Sequence, residues 1–250
     1  MSNDVRAQYP GKELEAMSFA LNYHRWIVTE FEPYIGEKIA EVGAGVGSVS
    51  KLLLATRIRH LIAFEPSPNM YRVLEEELRH EQRARAVNDF FSRRYADEGF
   101  DTVVYINVLE HIKDDRAELT TALESLKPNG HLLLFVPALQ WLYSNFDKQI
   151  GHCRRYRKAA LRNLVKDVGF GLVKAHYFDI AGIIPWYVNY VLLGNRMGSR
   201  NVSLYDKLVV PLMKVLESCV RPPIGKNILL IGKKEDRPGY APAGSRGARE

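Results

Sequence analysis

The sequence predicts an α/β fold, a doubly wound seven-stranded sheet with helices on both faces. Three observations predict it. Apolar runs of strand length alternate with helical patterns along most of the chain. The joints between them are short and carry Gly, Pro or Asn. A glycine-rich string, Gly43-Ala44-Gly45-Val46-Gly47, stands directly between the first strand and the helix after it.

The elements follow in order. Glu13 to Glu30 reads as an amphipathic helix, with Leu14, Met17, Leu21 and the Trp26/Ile27 pair near helical spacing, ended by Pro33 and Gly36. Lys38 to Val42 is the first strand, and Val49 to Leu54 continues as a helix. Leu61 to Phe64 is a second strand, and Pro68 to Arg79 a helix with Tyr71, Leu74 and Leu78 on one face. Ala84 to Val87 is a short third strand and Asp101 to Ile106 a β-branched fourth. Asp114 or Asp115 caps a helix in which Leu119, Leu123 and Leu126 line up. Pro128-Asn129-Gly130 is a turn, and His131 to Val136 a fifth strand. Lys158 to Val168 is a helix buried through Leu161, Val165 and Val168, closed by Gly169. Phe170 to Phe178 and Asn227 to Ile231 complete the strands. The domain plan is therefore an N-terminal helical cap over 1–36, a core over 37–178, an insertion over 179–222, a final strand over 223–235 and a disordered tail over 236–250.

The chemistry concentrates at the strand ends. Gly43 permits a tight exit from the strand, Gly45 lets a ligand approach the backbone, and Gly47 lets the helix start near the sheet. A dinucleotide fingerprint would place Gly or Ala at position 48, where this chain has Ser. Glu41, just ahead of the glycines, suits a ligand with a cationic amino group. Glu65, after the second strand, is placed to accept both hydroxyls of a ribose. Asp89 is a candidate acceptor for an adenine amino group.

These residues, with Phe100 to Ile112 and the run Leu126-Lys127-Pro128-Asn129-Gly130-His131, resemble the class I S-adenosylmethionine-dependent methyltransferases of small-molecule type. The resemblance covers Lys38 to Val136 well and the last two strands more loosely. It implies a Rossmann-like seven-stranded sheet whose last strand runs antiparallel. It implies S-adenosyl-L-methionine as cofactor, with Glu41, Gly43, Gly45, Gly47, Glu65, Asp89 and Asn107 at the positions that hold it.

Methyl transfer from a sulfonium needs a nucleophile held in line with the methyl carbon, and a base where that nucleophile is a hydroxyl. His111, after the fourth strand, and His152, beyond the fifth, are the catalytic candidates. Glu110-His111 also resembles the quinone-pathway O-methyltransferases, where a Glu three residues earlier completes a divalent metal site. Asn107 stands there instead, so no metal is expected. Arg154, Arg155 and Tyr156 are the candidate grip on an anionic or polyhydroxylated substrate, with Tyr23 closing from the other side. The apolar, aromatic stretch 180–193 reads as a lid, a dimer contact or a peripheral membrane contact.

Composition is that of an ordinary globular protein, 46% hydrophobic and 26% charged, with a formal net charge of +6. Seven cations against Asp167 alone between Gly151 and Lys174 would account for that excess. Two distant cysteines exclude a disulfide framework or a zinc cluster and suit a reducing cytosol. With no stretch of signal-peptide or transmembrane type, a cytoplasmic location is expected. A nicotinamide oxidoreductase would need the sixth-position glycine that is missing here. A nucleic-acid methyltransferase would need a separate binding module or an Asn-Pro-Pro-Tyr-like motif, and Asn107-Val108-Leu109-Glu110 occupies that place. The expected partner is a small molecule, and the expected state a monomer or homodimer.

Overall fold

The computed structural model describes residues 20–194 and 199–236. The expected helix start at Glu13, with Leu14 and Met17, and the expected tail lie outside the described residues. Seven strands form one sheet in the order β3-β2-β1-β4-β5-β7-β6. They are β1 (Lys38–Val42), β2 (His60–Phe64), β3 (Ala84–Val87), β4 (Phe100–Ile106), β5 (Leu126–Pro137), β6 (Phe170–Phe178) and β7 (Asn227–Lys234). The first five are mutually parallel, and β7 runs antiparallel to both β5 and β6.

Both faces of the sheet are covered, so its central strands read as continuous apolar runs. Alternation still sorts the residues. Leu133 and Phe135 of β5 and Leu229 and Ile231 of β7 pack into one core with Trp26, Phe31 and Leu53. Leu132, Leu134, Ile228 and Leu230 pack into the other with Leu119, Leu161 and Val165. The first core belongs to helices α1 (Leu21–Phe31), α2 (Ser48–Leu54) and α3 (Pro68–Leu78), the second to α4 (Asp115–Ser125) and α6 (Lys158–Val168). Between these two lies α5 (Asn145–Gln149), closed at its start by a Ser144/Asp147 capping box.

Local signals explain the ends. The Asp114 carboxylate accepts the Ala117 amide at 3.0 Å and caps α4. Gly169 ends α6 at φ 118°. Two expectations need correction. Leu126 is not the last helical leucine, since it pairs with Phe100 in the sheet. The turn after it is a loop thrown out of one long strand: the register jumps from Leu126 to His131, with Asn129 at φ 65°. Leu21, placed on the helix's apolar face by spacing, is instead exposed.

The insertion is more structured than its sequence suggested. It holds α7 (Ile183–Trp186), which runs on as a π-turn over Tyr187–Leu192, then α8 (Ser199–Leu208) and α9 (Val210–Cys219). Two buried acids tie it down. Asp206 accepts the amides of Asn22 and Tyr23 at 3.1 and 2.8 Å, so it caps α1, whose own N-terminal residue Ala20 supplies no side-chain cap. Glu217 accepts the amides of Asp179 and Ile180 at 3.1 and 2.9 Å.

Candidate active site

The chain winds outward from β1 to β3, then returns to place β4 on the other side of β1. That reversal opens a crevice at the carboxyl ends of β1 and β4. A cavity of about 830 Å³ fills it, within the roughly 300–1,000 Å³ typical of small-molecule sites. Its floor is the glycine turn and its roof the insertion.

The floor is built by backbone conformation. Gly43, Gly45 and Gly47 have φ of 69°, 58° and 87°, a region that disfavours side chains. The amides of Gly43 and Ala44 both donate to Phe64 O, at 2.9 and 3.0 Å. A Cβ on Gly43 would stand 2.5 Å from Val108 Cγ2. Gly43 and Gly45 line the cavity, whereas Gly47 does not; it begins α2, close against Leu74.

Three carboxylates face this floor. Glu65 accepts the Gly45 amide at 2.9 Å on one oxygen and the Ser67 amide at 2.8 Å on the other, leaving each oxygen further acceptor capacity. Burial raises its pKa against those two bonds. Glu41 is buried beneath the turn, and Ser50 donates to it at 2.6 Å. Burial pushes its pKa up to about 8, with Glu65 adding to the effect. Asp89 accepts from Tyr95 Oη at 3.2 Å, bonds the Phe90 amide and pairs with Arg94. Asn107 lines the cavity from the end of β4, at φ 54°.

Opposite the floor, His111 and His152 stand edge to face with ring centroids 4.6 Å apart. Burial lowers the His111 pKa to about 4, so its imidazole is neutral near neutral pH. His152 Nδ1 lies 2.8 Å from Asp147 Oδ1. Asp147 is also fixed by Ser144 and by Arg155 Nε, each at 2.9 Å, and the His152 hydrogen bond, then the Arg155 charge and the Ser144 amide, hold its pKa down. A carboxylate on Nδ1 fixes the orientation of the ring. Nε2 stands 3.7 Å from Glu110 Oε1. Glu110 is fully buried, neither of its oxygens has a hydrogen-bond partner, and burial pushes its pKa up to about 8. Glu110, His111 and His152 each offer a donor atom within 4.8 Å of the others, a carboxylate with two imidazoles. That set fits a divalent metal of the kind that keeps an open coordination position, despite the Asn at position 107.

The expected substrate residues divide. Tyr23 and Arg155 line the cavity. Tyr23 donates to Asn227 Oδ1 at 3.0 Å. Arg155 is buried, bonded to Asp147 and stacked 4.5 Å over the Trp186 ring. Arg154 and Tyr156 stand apart from the cavity. Asp115 takes Arg154 Nη1 at 2.6 Å and Tyr156 Oη at 3.0 Å, so this carboxylate claims both side chains. Asp147 and Lys226 were not singled out by sequence reasoning, and Glu110 only as the partner of His111 in a metal-site resemblance. The Ser144-x-x-Asp147 spacing was a readable cap signal, but no sequence pattern announces its pairing with His152 five residues on. Lys226 lines the roof, 3.0 Å from Asp179 Oδ2 and 5.1 Å from the Tyr23 ring centre. Phe146, Trp186 and Tyr190 complete an aromatic wall.

A model of the methyltransferase domain matches residues 18–175. The chain is 28% identical over 131 residues to a ubiquinone biosynthesis O-methyltransferase of Xylella fastidiosa, covering 50% of each chain. It is 25% identical over 108 residues to phosphoethanolamine N-methyltransferase 2 of Caenorhabditis elegans, covering 42% of this chain and 24% of that one. The matches thus span half or less of these relatives. Among solved structures, a SAM-dependent methyltransferase from Archaeoglobus fulgidus superposes with TM-score 0.60 at 16% identity, covering 89% and 99% of the two chains. The Haemonchus contortus phosphoethanolamine N-methyltransferase 2, in complex with S-adenosyl-L-methionine, gives 0.59 at 17% identity, covering 92% and 58%.

Proposed function

The chain belongs to the methyltransferase domain family, and from that membership we propose that it transfers a methyl group from S-adenosyl-L-methionine to a hydroxyl of a small organic acceptor. The observation that carries the choice of oxygen is the Asp147–His152 pair, whose histidine lines the cavity. In the reaction the acceptor oxygen attacks the methyl carbon, the carbon–sulfur bond breaks, and its electron pair stays on sulfur as the neutral thioether. The hydroxyl proton passes to His152 Nε2, and Asp147 stabilises the imidazolium. The cofactor's sugar hydroxyls fall to Glu65 and its ammonium to Glu41. Both arginines proposed for an anionic substrate are already paired, and Phe146, Trp186 and Tyr190 favour an acceptor with an apolar or ring-bearing body. Screening acceptors with isotope-labelled cofactor and locating the label by mass spectrometry tests the reading. With an acceptor in hand, His152→Ala should lower kcat about 10²–10⁴-fold and leave cofactor affinity unchanged. Label found on nitrogen or carbon, or full activity in that variant, would defeat it.

A second reading has its own observation in the unpartnered oxygens of Glu110. Glu110, His111 and His152 would hold a divalent cation, which would acidify a coordinated hydroxyl. Asp147 would then orient a ligand rather than a base. Activity lost on chelation and restored by added metal selects this reading, whereas indifference to chelation selects the first.

A further inference from the structure

Helices α8 and α9 have two dissimilar faces. Asn201, Val202, Tyr205, Asp206 and Val210 turn inward and line the cavity roof. On the outside, Leu204, Leu208, Leu212, Leu216 and Val220 recur every four residues and are all at least half exposed. Side chains four apart on a helix form a continuous ridge. The two helices join with little interruption, since Val209 N bonds Tyr205 O and Met213 N bonds Val209 O. Val215 lies beside the ridge, and Leu192 and Leu193, at the end of the preceding π-turn, are exposed as well. An apolar surface of this extent is rare on a protein that meets only water.

The charges on these helices are sorted. Asp206 and Glu217 are the only acids between Ser199 and Cys219, and both are buried and committed to backbone amides. Lys207 and Lys214 are the cations beside the ridge; Lys207 is exposed, and Lys214 meets the Thr29 hydroxyl Oγ1 at 3.4 Å and no carboxylate among the described residues. The outer face therefore presents hydrocarbon and positive charge with no compensating carboxylate among its described residues. Apolar side chains with flanking lysines match the interface of an anionic bilayer. No helix among the described residues is long and apolar enough to cross a membrane, so such a surface would lie on the bilayer.

We propose that the outer ridge of α8 and α9 docks on an anionic lipid surface. The same helices roof the cavity, so docking would bring its lipid-side wall against the bilayer. On the methyltransferase reading above, the acceptor is then amphiphilic, with its reacting hydroxyl at His152 and its apolar part towards the ridge.

Flotation with vesicles tests docking without any turnover, so it stands or falls separately from the activity. The full chain should float with phosphatidylcholine vesicles containing phosphatidylglycerol, and not with phosphatidylcholine alone. Binding should weaken at high salt. Lys207→Glu should weaken it by at least about five-fold, the worth of one cation near an anionic surface. Leu212→Glu with Leu216→Glu should abolish it, while calorimetry shows S-adenosyl-L-methionine affinity unchanged, which certifies the fold. Equal binding to neutral vesicles, or none to anionic ones, would overturn the proposal. So would a dimer in sedimentation that the double variant dissociates while vesicle binding is absent, since the ridge would then face a second copy.

Discussion

Two buried carboxyls give the site a pH dependence that can be worked out residue by residue. Glu41, at a pKa of about 8, is largely protonated at pH 7 before any ligand arrives. A cationic ammonium beside it favours the ionised form, so binding S-adenosyl-L-methionine should expel roughly one proton at pH 7. Calorimetry in buffers of different ionisation enthalpy would show that release, with affinity rising towards pH 8 and levelling off above it. Glu41→Gln should bind more weakly and release no proton; an unchanged proton count would place the ammonium elsewhere. Glu110 bears on stability instead. Its folded pKa, also about 8, lies above the ordinary carboxylate value, so the folded chain holds this proton more tightly than the unfolded one. Stability conferred by that proton is complete in acid and declines as pH rises from the carboxylate range towards 8. Glu110→Gln keeps the shape without the ionisation. Its melting temperature relative to the parent should therefore climb across that window, and a constant difference would refute the assignment. The glycine floor of the cavity was legible at this scale because Gly43, Gly45 and Glu65 act through backbone conformation and position after a strand. The contact of Asp147 with His152 was not legible, because it arises only where the loop after α5 turns back and brings the His152 ring onto Asp147.

Between elements, legibility follows burial. The strands could be read because the central ones, covered on both faces, must be apolar throughout, as in Leu132 to Val136. The helices of the insertion could not, because α8 and α9 carry apolar side chains on the outside and bury Asp206 and Glu217, the reverse of the usual amphipathic pattern. The N-terminus of α1 shows the same limit. Its cap comes from Asp206, over 180 residues away in sequence, so no local pattern announces it. Substituting Ala for Asp206 leaves two amides of the first turn without that acceptor. The expected loss is about 1 kcal/mol, a fall in melting temperature of about 2–4 °C for a chain of this size. Thermal denaturation with Asp206→Asn alongside checks this: Asn, a good cap, should recover most of the loss. Equal losses in both variants would mean that charge, not capping, is at stake.

At the scale of the whole molecule, the roof hangs from one residue at the end of β6. Asp179 is fully buried at φ 61°, where Asn is tolerated and most side chains are strained. Its carboxylate takes the Tyr205 hydroxyl at 2.5 Å, the Gly182 amide at 3.0 Å and Lys226 Nζ at 3.0 Å. Through these it joins α7, α8 and the lead into β7, three segments that share no strand pairing with one another. The sheet below has its own ladders and a second core without roof residues, although Val210 and Met213 of α9 share its first core. Asp179→Asn keeps the backbone conformation and the volume but removes the charge that Lys226 and Tyr205 share. Amide hydrogen exchange should then quicken in 183–192 and 199–219 while β1, β4 and β5 keep their protection, because local opening costs less than unfolding the sheet. Acceptor turnover should fall more than cofactor affinity, since Gly43, Glu65 and Asn107 belong to the floor. Faster exchange spreading evenly through the central strands would show that roof and sheet form a single cooperative unit, and a separately opening roof would have to be abandoned.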